Sequence, residues 1–284
     1  MDKISETAFL VAMYRALESE RPDALFQDPW ARRLAGGQGA LQATVLGQMR
    51  QGANAIALRT RMMDDVLMRL VDAGEVETVL NLAAGLDARP YRLNLPATLH
   101  WIEVDLPEIL AYKAQVLQEQ SPHCRLEHVD LDLKQPERTT LFSRVNQAPG
   151  GCLIMTEGIL GYLSPEAVAT LAMDLHQQPQ FRWWLLELLP PAPPAPRPYG
   201  QKLFDQYFLG GKAFQFAPQQ GAAFFERYGW RAVEVHSVWN ASRRLKRSAK
   251  LAWLWEWLLR LFARQQWKAM TRSGIVLLER VARG

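Results

Sequence analysis

The sequence predicts an α/β domain: a seven-stranded, mostly parallel sheet with helices on both faces and one antiparallel strand near the C-terminus. Two observations carry this. Short apolar runs alternate with helical periodicity from Glu75 onward, the signature of strands joined by helical crossovers. The chain also has 284 residues, 49% hydrophobic and 22% charged, enough to bury a large core and too apolar for a disordered chain.

Apolar residues at helical spacing cover Ser5 to Glu18 and Ala55 to Val71, and Gly74 is placed to stop the second helix. Between them lie the turn Phe26-Gln27-Asp28-Pro29-Trp30 and a Gly36-Gly37-Gln38-Gly39 loop. Val76 to Leu82 reads as a buried strand, and Leu99 to Asp105 as a second. A helix opens at Pro107 with Asp105 or Leu106 at its cap. Arg125 to Val129 and Gly151 to Glu157 are the next strands. Ser164-Pro165-Glu166 starts a helix, with a hydroxyl cap, proline in the first position and acid in the first turn. Phe181 to Glu187 is the fifth strand. Leu189 to Pro198 holds too much proline for helix or internal sheet and reads as an extended connector. Lys202 to Phe216 suggests an inserted aromatic cap. The strand Trp230–His236, one long helix Arg243–Gln266 and the strand Ser273–Val281 close the sheet.

Composition excludes several classes. The excess of 33 Lys+Arg over 29 Asp+Glu is only +4, and much of it sits in Arg243-Arg244-Leu245-Lys246-Arg247, so no nucleic-acid partner is expected. Cys124 and Cys152 open predicted strands without metal or redox spacing, and read as buried reduced thiols in a reducing cytoplasm. The start, Met1 to Glu6, lacks the apolar run of a secretion signal, so the expected location is cytoplasmic. The apolar stretch Leu251–Phe262 carries Glu256 and Arg260 and falls short of the roughly 20 residues of a membrane span. Glu256, Arg260 and Arg264 make one polar stripe on that rod. Burial in the protein is its leading reading, a lid or dimer face the next, and interfacial membrane contact helped by Arg243–Lys250 the last.

Ligands of doubly wound sheets bind beyond the carboxyl ends of the strands. That rule points to Ala83–Asp87, Asp105, Asp130–Leu131 and Glu157. The turn Asn81-Leu82-Ala83-Ala84-Gly85-Leu86-Asp87-Ala88-Arg89 is neither G-x-G-x-x-G nor a phosphate loop, so a pyrophosphate cradle has poor support. Its small residues admit a ligand against the backbone, and Gly85 suits unusual dihedrals. Asp105 follows Gly85 by 20 positions, the spacing at which an acid reaches a ribose. A helix cap is the competing role for Asp105.

Several motifs in order resemble the leucine carboxyl methyltransferase family, including its bacterial branch of polyketide O-methyltransferases. They are Tyr14-Arg15-Ala16-Leu17-Glu18-Ser19, Phe26-Gln27-Asp28-Pro29, Arg59-Thr60-Arg61-Met62-Met63-Asp64-Asp65, and Asn81 to Leu93. Glu103-Val104-Asp105-Leu106-Pro107 with Lys113, Val129-Asp130-Leu131 and Thr156 to Leu163 continue the series. The resemblance covers about two-thirds of the chain and fades after Glu187. It implies a Rossmann-like fold and S-adenosyl-L-methionine as cofactor. By position, Arg59 and Arg15 would hold the methionine carboxylate and Gly85, beside Ala83, would lie against the cofactor. Asp105 with Leu106 would take the ribose, Asp130 and Leu131 the adenine, and Glu157 the amino end. Ala83 replaces the usual first glycine, and Asn81 stands where many methyltransferases carry an acid. On this reading residues 1–74 close the cofactor site, 75–189 form the core, 190–229 the connector and cap, and 230–284 complete the sheet.

Methyl transfer asks for an acceptor held in line in a dry pocket. A carboxylate acceptor needs no base; a phenol or alcohol does. No Ser/His/Asp, Cys/His or metal-ligand arrangement is readable. His176 reads as a surface residue and His236 as a satisfied strand-end residue. The expected reaction is therefore O-methylation of a small-molecule carboxylate, free or carrier-tethered, in a natural-product or polyketide-type pathway. Phenolic or alcohol O-methylation and a non-catalytic cofactor-binding role remain alternatives. A nicotinamide oxidoreductase is a third, against which the missing G-x-G-x-x-G counts. An oligomer is compatible with all of them. Phe204, Tyr207, Phe208, Phe214, Phe216, Phe224, Phe225 and Tyr228 are numerous enough to line an apolar pocket, although many would be core.

Overall fold

A computed structural model describes residues 3–37, 50–148, 150–191, 214–248 and 271–281, with residues 256, 257, 260, 261, 264 and 267 between the last two stretches. The elements are α1 (Lys3–Ser19), α2 (31–37), α3 (Arg50–Asp72), β1 (Thr78–Leu82), the single turn α4 (Arg89–Arg92) and β2 (His100–Asp105). They continue with α5 (Pro107–Val116), β3 (Arg125–Asp130), α6 (Arg138–Val145), β4 (Cys152–Thr156), α7 (Pro165–His176) and β5 (Phe181–Leu188). β6 (Trp230–Ser237), α8 (Val238–Arg244) and β7 (Gly274–Arg280) finish the chain.

The seven strands form one sheet in the order β3-β2-β1-β4-β5-β7-β6. All pairings among β1 to β5 are parallel, and β7 runs antiparallel to both β5 and β6. The expected single antiparallel strand is therefore β7. Strand order reverses between β1 and β4, which opens a crevice at the carboxyl ends of these two strands.

Two-residue alternation splits the core between the sheet faces. Val79, Leu153, Met155, Leu185 and Ile275 pack with Leu58, Met62, Val66 and Leu70 of α3. Leu80, Ile154, Trp184 and Leu186 pack with Val168, Leu171 and Leu175 of α7 and with Phe216, Phe224 and Phe225. Each such aliphatic side chain contributes about 1.5–3 kcal/mol by burial. Two of the buried tryptophans satisfy their ring N–H groups: Trp184 donates to Thr156 Oγ1 (2.9 Å) and Trp230 to the Ala172 carbonyl (3.0 Å). Cys124 and Cys152 are buried and free, and burial pushes the Cys124 thiol up to about 11.

Three expectations are corrected. His176 is buried, with its ring Nε2 2.9 Å from the Val281 carbonyl; it joins α7 to the end of β7 instead of facing solvent. The single helix over Arg243–Gln266 is broken. α8 ends at Arg244, Lys246 takes φ +54, and helical residues resume by Glu256. The break has a physical cause: Arg247 is drawn inward to Glu18 and Asp23, at 2.8 Å each. Burial of the whole apolar rod also fails, because Trp257 is 55% exposed. Gln38, Gly39, most of the proline-rich connector, and Phe204, Tyr207 and Phe208 lie outside the described residues. Of the remaining cap aromatics, Phe216, Phe224 and Phe225 are core.

Candidate functional site at the carboxyl edge of the sheet

β1 delivers the chain into the turn Ala83-Ala84-Gly85, where Ala83 has φ +56 and Gly85 φ +54. Glycine adopts such dihedrals freely, whereas alanine loses roughly 1 kcal/mol or more there. The substitution at residue 83 therefore stores strain at the site. The turn is held from the next strand. Asp105, at the end of β2, accepts from Gly85 N–H (2.6 Å) through Oδ2 and from Leu106 N–H (2.7 Å) through Oδ1. Asp105 thus ties the turn to the start of α5, but it is not the cap of that helix: the N-cap is Leu106, without a side-chain cap bond. Burial raises its carboxyl above the ordinary value, and the two N–H groups oppose that shift. Asp130 is the register partner of Asp105, and Leu131 N–H donates to the Asp105 carbonyl (2.9 Å).

The other half of the edge is ionic. α3 presents Arg59, whose Nε meets Glu157 at 2.9 Å beyond β4 and whose Nη1 meets Glu187 at 2.9 Å in β5. Glu157 also meets Arg89 at 2.8 Å, and Arg89 meets Asp87 and Asp64 at 2.7 Å each. Asp64 continues to Arg92 at 2.8 Å, and Asp28 links Arg92 (3.8 Å) to Arg15 (3.3 Å). Arg15 donates to the Leu86 carbonyl as well, so its guanidinium braces the turn against α1. This network counts four guanidinium groups against five carboxylates, one negative charge over.

Burial would raise the Glu157 carboxyl, but the guanidinium groups of Arg89 and Arg59 outweigh it and hold it at about 2. Asp87 is held below the ordinary range in the same way by Arg89 and Arg15. Burial keeps the Tyr162 phenol above its usual value and therefore protonated; Tyr162 stacks obliquely on Phe214, centroids 5.3 Å apart. Gly158 has φ +72, and a Cβ there would come within 3.3 Å of Arg59 Nη1, so its absence leaves the guanidinium its place.

All nine residues singled out in the sequence stand at this edge. Gly85, Asp105 and Leu106 are in direct contact, as are Arg59 and Glu157, and Ala83 adjoins the first group. Arg15 reaches the turn but is committed to Asp28 and Leu86. Sequence reasoning missed Arg89, 1% exposed and central to the network, and Glu187. Asp87-Ala88-Arg89 lies inside the recognised motif, and Glu187 ends a predicted strand, so the strand-end rule marks it. Among the described residues no group of His, Cys, Asp and Glu is arranged to hold a metal.

The sequence model of the leucine carboxyl methyltransferase family matches residues 8–175. The chain belongs to that family. A relative from Parafrankia sp. is 37% identical over 61% of this chain and 58% of its own length, and one from Streptomyces coelicolor is 36% identical over 61% and 64%. Both are named as candidate S-adenosyl-L-methionine-dependent methyltransferases. The chain thus matches about three-fifths of the length of these curated relatives. The fold recurs in a crystal structure of a DUF574 family protein from Streptomyces avermitilis. That likeness has a TM-score of 0.54 at 12% identity and covers 96% of this chain and 97% of the other. A Thermobifida fusca protein gives 0.57 at 16% identity over 89% and 93%.

Proposed function

We propose that the chain is an S-adenosyl-L-methionine-dependent O-methyltransferase that esterifies a carboxylate of a small molecule of natural-product or polyketide type. The observation that carries the reading is the contact between the Gly85 turn and Asp105, set beside a buried ionic network with one negative charge in excess. S-adenosyl-L-methionine carries an ammonium, a carboxylate and a sulfonium, hence one net positive charge, which the edge would balance. Family membership and the names of the relatives support the same cofactor.

The donor set fits the group. The Asp105 carboxylate has acceptor capacity beyond its two backbone bonds, as a ribose diol requires. Asp130 and Leu131, one strand over, would border the adenine. Arg59 and Glu157 offer the guanidinium and carboxylate that an amino-acid zwitterion asks for. Arg15 acts by bracing the turn. When bound, the cofactor supplies a methyl group activated by its positively charged sulfur.

The residues at the edge then have three tasks. Arg59, Glu157 and Asp105 fix the position of the donor, the aromatic side chains of Tyr162 and Phe214 exclude water, and the acceptor oxygen is held in line. A carboxylate acceptor is favoured because Glu157 is held at about 2, a weak base, and Tyr162 is held protonated, a donor. With a carboxylate acceptor, neither Glu157 nor Tyr162 would need to take up a proton.

The test is release of S-adenosylhomocysteine with a labelled methyl donor across panels of carboxylic acids, phenols and alcohols. Base-labile methyl esters from the acids are expected. Turnover on hydroxyl acceptors alone would replace the carboxylate reading, and binding without turnover on any class would leave a non-catalytic member of the fold.

A further inference from the structure

The excursion between β6 and β7 leaves and rejoins the sheet at one point. Ser237 and Gly274 are register partners, and Gly274 also pairs with Leu188, next to Glu187 of the site. Its charge is unlike that of the rest of the chain. Residues 243–268 hold eight Lys and Arg against the single acid Glu256, a net +7. The whole chain is +4, so the remainder is −3. Four of the ten tryptophans fall in the same stretch.

The described side chains sort by face. Glu256 is buried and paired with Arg243 and with Arg260 (2.5 Å), so the one acid is withdrawn from the surface. Trp257 and Leu261, one turn apart, are 55% and 54% exposed. Arg260 and Arg264 are exposed beside them. Large apolar side chains normally avoid that degree of exposure in pairs, and arginine beside them brings charge without covering them. Tryptophan and leucine flanked by arginine is the chemistry of a helix that lies in a membrane interface.

We propose that this face docks on an anionic lipid surface. Trp257 and Leu261 enter the boundary between headgroups and acyl chains, and Arg260 and Arg264 meet the phosphates. Charge complementarity selects this occupant. A second copy of the chain would bring two segments of net +7 together and be repelled. A nucleic acid would satisfy the arginines but give Leu261 nothing to bury against. The apolar stretch Leu251–Phe262 carries Glu256 and Arg260 and is shorter than the roughly 20 residues of a span, so the contact proposed is peripheral. The inference stands whether or not the chain methylates a carboxylate.

The test is flotation of the full chain with phosphatidylcholine vesicles, with and without phosphatidylglycerol. Co-flotation with the anionic vesicles at low salt is expected, falling as ionic strength rises. The double variant Trp257→Ser/Leu261→Ser should reduce the bound fraction by about tenfold or more. Arg260→Gln/Arg264→Gln should weaken binding severalfold and flatten its salt dependence. Both pairs are exposed, so thermal unfolding checks that the fold is retained. Quenching of tryptophan emission by brominated anionic lipid should fall in Trp257→Phe. The proposal is overturned if folded protein stays with the soluble fraction at low salt, or if the Trp257→Ser/Leu261→Ser variant floats as well as the parent. It is equally overturned if that variant instead abolishes a dimer or binding to single-stranded nucleic acid while lipid binding is absent.

Discussion

Two buried ionic assemblies, one built on β2 and one at the carboxyl edge beyond β1 and β4, differ in how completely they close. Lys113 of α5 places Nζ 2.7 and 2.6 Å from the two oxygens of Glu103, and neither side chain is exposed. One ammonium meets one carboxylate, with His128 Nε2 of β3 3.3 Å from Glu103 Oε2 at the rim of the pair. The edge network is larger and open: five carboxylates face four guanidinium groups, and the buried Arg89 Nη2 and Arg92 Nε lack hydrogen-bond partners. A closed pair orders the interior and gains little over apolar packing of the same shape. An open network leaves one carboxylate charge uncompensated at a strand edge, and groups so placed cluster at functional sites.

This contrast can be broken by substitution. The largest effect is expected for Arg89→Met, which strands Asp64, Asp87 and Glu157; denaturant unfolding should show a loss of about 3–5 kcal/mol. Lys113→Met should cost about as much, but Lys113→Met/Glu103→Met should recover most of it, since a closed pair can be exchanged for apolar side chains. If the double variant were as unstable as the single one, the pair would have a role beyond mutual neutralisation. Asp105→Asn keeps only one of the two accepting oxygens, so it should cost about 1–2 kcal/mol of stability while the chain still folds, and should weaken binding of S-adenosyl-L-methionine at least about tenfold, or about 1.4 kcal/mol.

Acid sharpens the comparison. The Glu157 carboxyl lies lower folded than unfolded, so its contribution is complete above its ordinary value of 4.5 and is lost as pH falls toward about 2. Unfolding measured across that window should steepen in the parent and flatten in Glu157→Gln. The smallest effect belongs to Ala83→Gly. Relief of the strain at φ +56 is opposed by the greater freedom of glycine in the unfolded chain, so stability should rise by no more than about 1 kcal/mol.

The centre of the sheet was legible because its strands are buried on both faces and read as continuous apolar runs, as Thr78–Leu82 and Cys152–Thr156 show. The site was legible where a strand-end rule or a fixed spacing applied, as with Gly85 and Asp105. Arg89 escaped because nothing local distinguishes a buried arginine from a solvated one; its partners Asp64 and Glu157 lie 25 and 68 positions away. The break after Arg244 escaped for a similar reason. Local periodicity favours one helix, but Arg247 is pulled out of register by Glu18 and Asp23, more than 220 positions away.

Isothermal calorimetry with S-adenosyl-L-methionine, on the parent chain and on Asp105→Asn, tests the claim about the edge most directly. One saturable site per chain is expected, weakened in the variant at a temperature where thermal unfolding shows it folded. A folded parent chain that gives no binding heat and no thermal shift with the nucleoside in large excess would contradict it.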